Sequence, residues 1–245
     1  MQTMTRGGRA IAAGALAALL GAVGAAQAQA ATAEPAKAPY PNPAPIEQYR
    51  IASPADEIAL ARSAAPPSIS GPAKVLTLGA HGYETAAKGT NGFVCIVERS
   101  WGSGFEDAEF WNPKERSPIC FNAASARSVL PTYLQRTKWV LGGATKPQIE
   151  DRTRAALAAK RIPRPEIGSM CYMLSKDGYL SDSAPGGHWK PHLMFFVPKT
   201  ELATWGAGLP GAPVMGDTGR LDPVTVFYVP VGAWSDGTPA TPMKM

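Results

Sequence analysis

"HLMFFVP" at residues 192–198 and "TVFYVP" at 225–230 decide how the chain is read. Both runs are apolar at successive positions rather than alternating. That predicts strands covered on both faces, over His192 to Val197 and Val224 to Val229. Upstream, Ser169 to Ser175 (SMCYMLS) and Tyr179 to Leu180, after an Asp177-Gly178 turn, read as further strands. A short helix around Thr200 to Trp205 separates the last two.

The N-terminal half carries a second β region. Lys74 to Leu78, Tyr83 to Lys88 and Phe93 to Arg99 are separated by "GAHG" (79–82) and "GTNG" (89–92). Gly and Asn tolerate positive φ, so an antiparallel meander is expected. Ser53-Pro54-Ala55-Asp56-Glu57 starts a helix, with a Ser cap, Pro at the first position and acids in the first turn. Pro66-Pro67 stops it.

Asn122 caps another helix, which runs to Leu141 and ends at Gly142-Gly143, with Pro131 imposing a kink or a break. Thr145-Lys146-Pro147-Gln148 opens the next as a capping box, reaching about Arg161. The pattern defines an α+β fold: a single domain over residues 51–240, its mostly antiparallel sheet carrying a helix pair on one face.

The first thirty residues read as a secretory signal peptide. Arg6 and Arg9 precede an Ala/Leu/Gly-rich run, and "AQAQA" (26–30) offers small-residue cleavage sites. Cleavage takes the net charge from +5 to about +3. That mild, dispersed charge argues against nucleic acid, and nothing after residue 30 is apolar for long enough to span a bilayer. A periplasmic or secreted protein, not membrane-bound once cleaved, is expected. Residues 31–50, rich in Ala and Pro, read as a disordered leader.

In an oxidising compartment the three cysteines, Cys95, Cys120 and Cys171, favour one disulfide and one remaining thiol. The preferred pair is Cys95–Cys120, because one lies in a strand-like run and the other just before a helix start. Three buried thiols are the alternative.

Chemistry concentrates in few places. His188 and His192 have the i, i+4 spacing of a helical metal pair, but Pro191 and the preceding glycines oppose a helix. In an extended chain that spacing spans about 13 Å, too far for one ion without a turn. Met170, Cys171, Met173 and Met194 would add soft ligands suited to copper. Cys171 and His192 on neighbouring strands form a second candidate, a thiolate–imidazolium pair with Asp182 or Asn91 orienting the ring.

The third candidate is the loop "ERSWGSGFEDAEFWNPKER" (98–116). Trp101, Phe105, Phe110 and Trp111 alternate there with Glu98, Glu106, Asp107, Glu109 and Glu115. Such a loop can bind or cleave a glycan, or simply fold down on its own aromatics. "GAGLPG" (206–211) matches a dinucleotide-loop spacing, but Pro210 and the missing strand–helix context make it a loop.

The stretches "EIALARSAAP" (57–66), "KGTNGFVC" (88–95) and "PHLMFFVP" (191–198) resemble segments of an uncharacterised family of exported bacterial proteins with no assigned activity. That resemblance implies export and a single unit, and transfers no site residue. Two functions follow. One is a periplasmic binding or structural domain for a small-molecule or glycan ligand, with a groove near Trp189 and the loop of Trp101 and Trp111. The other is a small hydrolase or metal-dependent enzyme using His192 with His188, Cys171 or Asp182. The residues name no cofactor and no oligomeric state.

Overall fold

A computed structural model describes residues 39–221 and 223–240. The expected signal peptide and the leader up to residue 38 lie outside the described residues. One eight-stranded sheet organises the rest: β1 (Lys74–Leu78), β2 (Tyr83–Ala87), β3 (Val94–Glu98), β4 (Ser117–Phe121), β5 (Met170–Met173), β6 (His192–Pro198), β7 (Met215–Asp217) and β8 (Val224–Pro230). Its order is β2-β1-β3-β4-β5-β6-β8-β7. Every neighbouring pair is antiparallel except β1 and β3. The fold is α+β.

The parallel pair corrects the expected meander. β2 and β1 form a hairpin, but β3 then crosses to the other side of β1. Burial explains the choice. β2 (YETAA) is exposed at its three middle positions and suits a sheet edge. β3 (VCIVE) is buried from Cys95 onward and needs neighbours on both sides.

α1 (Pro54–Arg62) is capped by the Ser53 hydroxyl, which accepts from the Asp56 amide. It lies on one face of β1, β3 and β4 through Ala61, with Ala64 and Ala65 beyond its end. These small residues bring the backbone close to Val75, Val97 and the cystine. A buried ion pair fixes the helix: Arg99 Nη2 meets Glu57 Oε1 at 2.9 Å, and the same oxygen accepts from the Leu78 amide. The short helix α2 (Pro67–Ser70) follows.

On the other face, α3 (Ala123–Ser128) and α4 (Leu130–Leu141) divide at Val129, where Pro131 forces a new first turn. Val129, Leu130, Tyr133 and Leu134 pack onto Ile96, Ile119, Phe121 and Phe196. α5 (Lys146–Ala158) opens with the complete Thr145–Gln148 capping box. Its Ile149 joins a separate cluster with Tyr49, Leu78, Trp101, Phe105, Phe110 and Trp111.

Cys95 and Cys120 face each other directly across β3 and β4, with Cα atoms 4.0 Å apart, and form the disulfide. Cys171 is free and buried.

Two further expectations change. β6 and β8 bury alternate residues rather than all of them. Beyond the α4 face they are covered by the 3-10 turn Leu202–Trp205, whose Trp205 stacks on Phe227 at 4.4 Å. A single turn is too small to bury both strands completely. The leader expected to be disordered is packed from residue 39. Tyr49 is 1% exposed, its ring lies 4.8 Å from that of Trp101, and its hydroxyl donates to the Trp111 carbonyl. Arg116 donates to the carbonyls of Gln48 and Arg50. A buried tyrosine and backbone carbonyls that find donors outweigh the extended bias of the prolines.

Candidate functional site

A cavity of about 560 Å³ opens on the α4 face of the sheet. The alternation of strand side chains builds its floor. His192 and Met194 of β6, Met173 of β5, Ser117 of β4 and Glu98 of β3 all project to this face. Val129, Tyr133 and Arg136 supply a wall, Val226 and Tyr228 of β8 another. The loop after β3 contributes Asp107, Glu109 and Glu115, and Pro39 and Trp189 stand at the cavity as well.

His192 is 3% exposed. Its Nδ1 lies 2.7 Å from the Lys190 carbonyl, which can only accept, so Nδ1 carries the proton. Burial lowers its pKa, against the opposing pull of that hydrogen bond, and favours the neutral ring. Nε2 is then a lone-pair acceptor, buried and without a partner among the described residues. Trp189 and Tyr228 flank the imidazole, with ring centroids at 6.0 Å and 5.7 Å.

Glu98 ends an apolar strand and inherits its burial. Loss of water pushes its carboxyl up to about 8, which Arg136 only partly offsets. Glu115 is likewise raised well above its ordinary value, first by burial and then by the Glu98 charge, although the Ser117 hydroxyl donates to it at 2.8 Å. The two carboxyls are coupled, and burial favours the protonated form of each. Gly102 makes room for Glu98, since a Cβ there would stand 1.7 Å from Glu98 Oε1.

Glu109 differs. Burial is the largest single influence and pushes its pKa up, but hydrogen bonds from the Asp182 and Ser183 amides, the Ser181 hydroxyl and Asn112 together outweigh it. It stays ionised and ties the 181–183 segment to the wall. Arg136 is also held: Nη1 donates to the carbonyls of Trp101, Gly102 and Ser103, and the guanidinium lies 4.4 Å from the Phe105 ring centre.

The candidate residues therefore separate. His192 and Trp189 line the cavity. Cys171 does not: it is fully buried two residues from Met173, and burial followed by the Glu98 charge raises its thiol well above the ordinary value. That removes the thiolate a nucleophile needs. Asp182 accepts from Lys114, Tyr179 and Tyr40, which lower its pKa in that order, so it orients these groups and not the imidazole. Asn91 is spent on the Ile69 carbonyl and the Phe93 amide.

His188 is exposed on the turn Pro185–Gly187 and beyond, where Gly186 and Gly187 take positive φ. Among the described residues no group of three or more His, Cys, Asp or Glu is placed to hold a metal. Met170 projects to the opposite face from Met173 and so leaves the soft-ligand set, while Cys171, Met173 and Met194 share one face with His192. Trp101 and Trp111 are 1% and 3% exposed, so they serve the core and cannot stack against a ligand.

The sequence reading passed over Arg136, Gly102 and Tyr228. Glu98 was read only as one carboxylate of the 98–116 loop, because the apolar run before it does not alternate and so fixes no phase. The chain matches no family model, no curated protein and no solved structure in the three comparisons.

Proposed function

We propose that the protein is an exported binding protein whose cavity holds a small organic molecule. The observation that carries this is the cavity itself, about 560 Å³, lined by apolar side chains such as Val129, Met173, Met194 and Val226 with a few converging polar residues, among them His192, whose Nε2 is unpartnered among the described residues. That size and lining are typical of small-molecule sites. The disulfide and the N-terminal run with its small-residue cleavage sites support export. With Trp101 and Trp111 in the core, Trp189 is the remaining aromatic of the expected groove.

Native mass spectrometry of protein purified from its own producing cells tests this reading. A retained small molecule, lost on unfolding and absent from Met194→Trp protein, is expected. Identical, ligand-free spectra after exposure to cell extract would reject it.

A second reading, a small hydrolase, rests on a neutral imidazole and a protonated carboxyl in one cavity. In that case His192 is the base and Glu98 the acid. Turnover of a chromogenic ester or glycoside, abolished by His192→Gln, distinguishes it from binding.

A further inference from the structure

We infer that the cavity receives an elongated organic cation. Its ammonium lies at the Glu98 and Glu115 carboxyls, its apolar middle rests on Met173 and Met194, and a hydrogen-bond donor at its far end meets His192 Nε2. The inference rests on the small-molecule reading above and names the ligand class.

The imbalance of charge comes first. Among the described lining residues, Glu98, Asp107, Glu109, Glu115 and Asp217 carry carboxyls, and Arg136 is the one Lys or Arg. Arg136 is occupied by three carbonyls and an aromatic ring. Glu109 is saturated by hydrogen bonds. Arg116, close to Glu115, spends its donors on the carbonyls of Pro113, Glu115, Gln48 and Arg50. Tyr83 and Cys171, which also face Glu98, stay neutral because burial raises both. Glu98 and Glu115 thus form a buried acid pair short of positive charge. An anion would raise the pair's pKa further, and a neutral ligand would leave it without the charge that ionisation needs. An ammonium supplies the missing charge and displaces a proton to solvent.

His192 is the independent second observation. Its Nε2 is buried and unpartnered among the described residues, and His192 is a lining residue of the cavity. A lone pair so placed demands an O–H or N–H.

Strand geometry sets the ligand's length. His192 pairs with Met173 and Glu98 with Ser117; continuing the Cys120–Tyr172 register puts Met173 beside Ile119. Three strand spacings and a two-residue offset separate the Cα atoms of Glu98 and His192 by about 16 Å. Both side chains stand roughly perpendicular to the sheet, so that separation carries over to their tips; allowing about 3 Å for a hydrogen bond at each end leaves roughly 10 Å, the span of a chain of six or seven carbons with polar ends. Met173 lies along that line.

Isothermal titration calorimetry of the purified protein with 6-amino-1-hexanol, 1,6-hexanediol and 6-hydroxyhexanoate tests the inference. The amine should bind, and its affinity should rise about tenfold per pH unit between pH 6 and 8 as one proton is released. Glu98→Gln should weaken it at least tenfold at pH 8 and flatten that slope. His192→Gln should remove its advantage over plain hexylamine. Equal or tighter binding of the diol or the hydroxy acid, or amine binding independent of pH, would overturn the cation while leaving the binding cavity intact. If none of the three binds but an extract ligand is retained, the ligand class is wrong. If no extract ligand is retained either, both readings fail.

Discussion

Replacing Glu98 by Gln should make the protein more stable, and increasingly so as pH rises. The carboxyl has an ordinary value of 4.5 and is pushed up to about 8 in the fold by burial. A folded pKa above the unfolded one means that the folded state binds the proton more tightly. The neutral acid is therefore fully tolerated below about pH 4.5, and stability falls as pH climbs toward 8. The slope is about 1.4 kcal/mol per pH unit, and the whole step is of order 5 kcal/mol as an upper bound. Gln keeps the shape and polarity of the protonated acid without its titration. Guanidinium unfolding of both proteins at half-unit steps from pH 5 to 9 measures the difference, in which unaffected groups cancel. The advantage of Glu98→Gln should stay below about 1 kcal/mol at pH 5 and reach about 4–5 kcal/mol at most by pH 8.5. Glu115 loses a like charge in the variant, which lowers its own pKa and steepens the contrast. A difference that stays flat with pH would show that Glu98 is already ionised at neutrality, and the account of the acid pair would fall.

Gly102→Ala brings a Cβ to 1.7 Å from Glu98 Oε1; unfolding curves should show a loss of about 1–3 kcal/mol and a smaller pH dependence, as the carboxyl is pushed aside. Reducing Cys95–Cys120, or replacing both by Ala, should lower stability by about 3.5 kcal/mol for this 25-residue separation, read as a drop in denaturation midpoint. Cys171 should resist thiol reagents in the native protein and react only on unfolding, counted by mass. Glu57→Ala strands the Arg99 guanidinium in the core, and thermal unfolding should report a loss of about 3–5 kcal/mol.

Local rules were legible wherever a backbone end had to be satisfied nearby. Ser53, Asn122 and Thr145 each accept from the amide three residues on, as their spacing implies. Pro131 breaks its helix for want of an amide proton. The cystine was the preferred pairing because Cys95 lies in a strand-like run and Cys120 just before a helix start, whereas the strand that holds Cys120 was not read from the sequence. The candidate site was legible only in part. His192 could be singled out as the polar step before an apolar strand. Its isolation from Asp182, His188 and Cys171 could not, because that depends on which loop packs where. The same applies to residues 39–50: no periodicity announces that Tyr49 will fill a gap beside Trp101.

The sequence by itself determined most of the elements and their caps and favoured one pairing of the cysteines, since these are decided by chain geometry over a few residues. The crossing of β3 to the far side of β1, the burial of Trp101 and Trp111, and the meeting of Glu98, Glu115, Arg136 and His192 around one cavity were decided by tertiary structure alone. They turn on competition between distant surfaces for the same buried space. Water is excluded from that space only when the sheet, α4 and the loop after β3 close together, and its exclusion is what raises the pKa of two carboxyls and leaves an imidazole lone pair awaiting a donor.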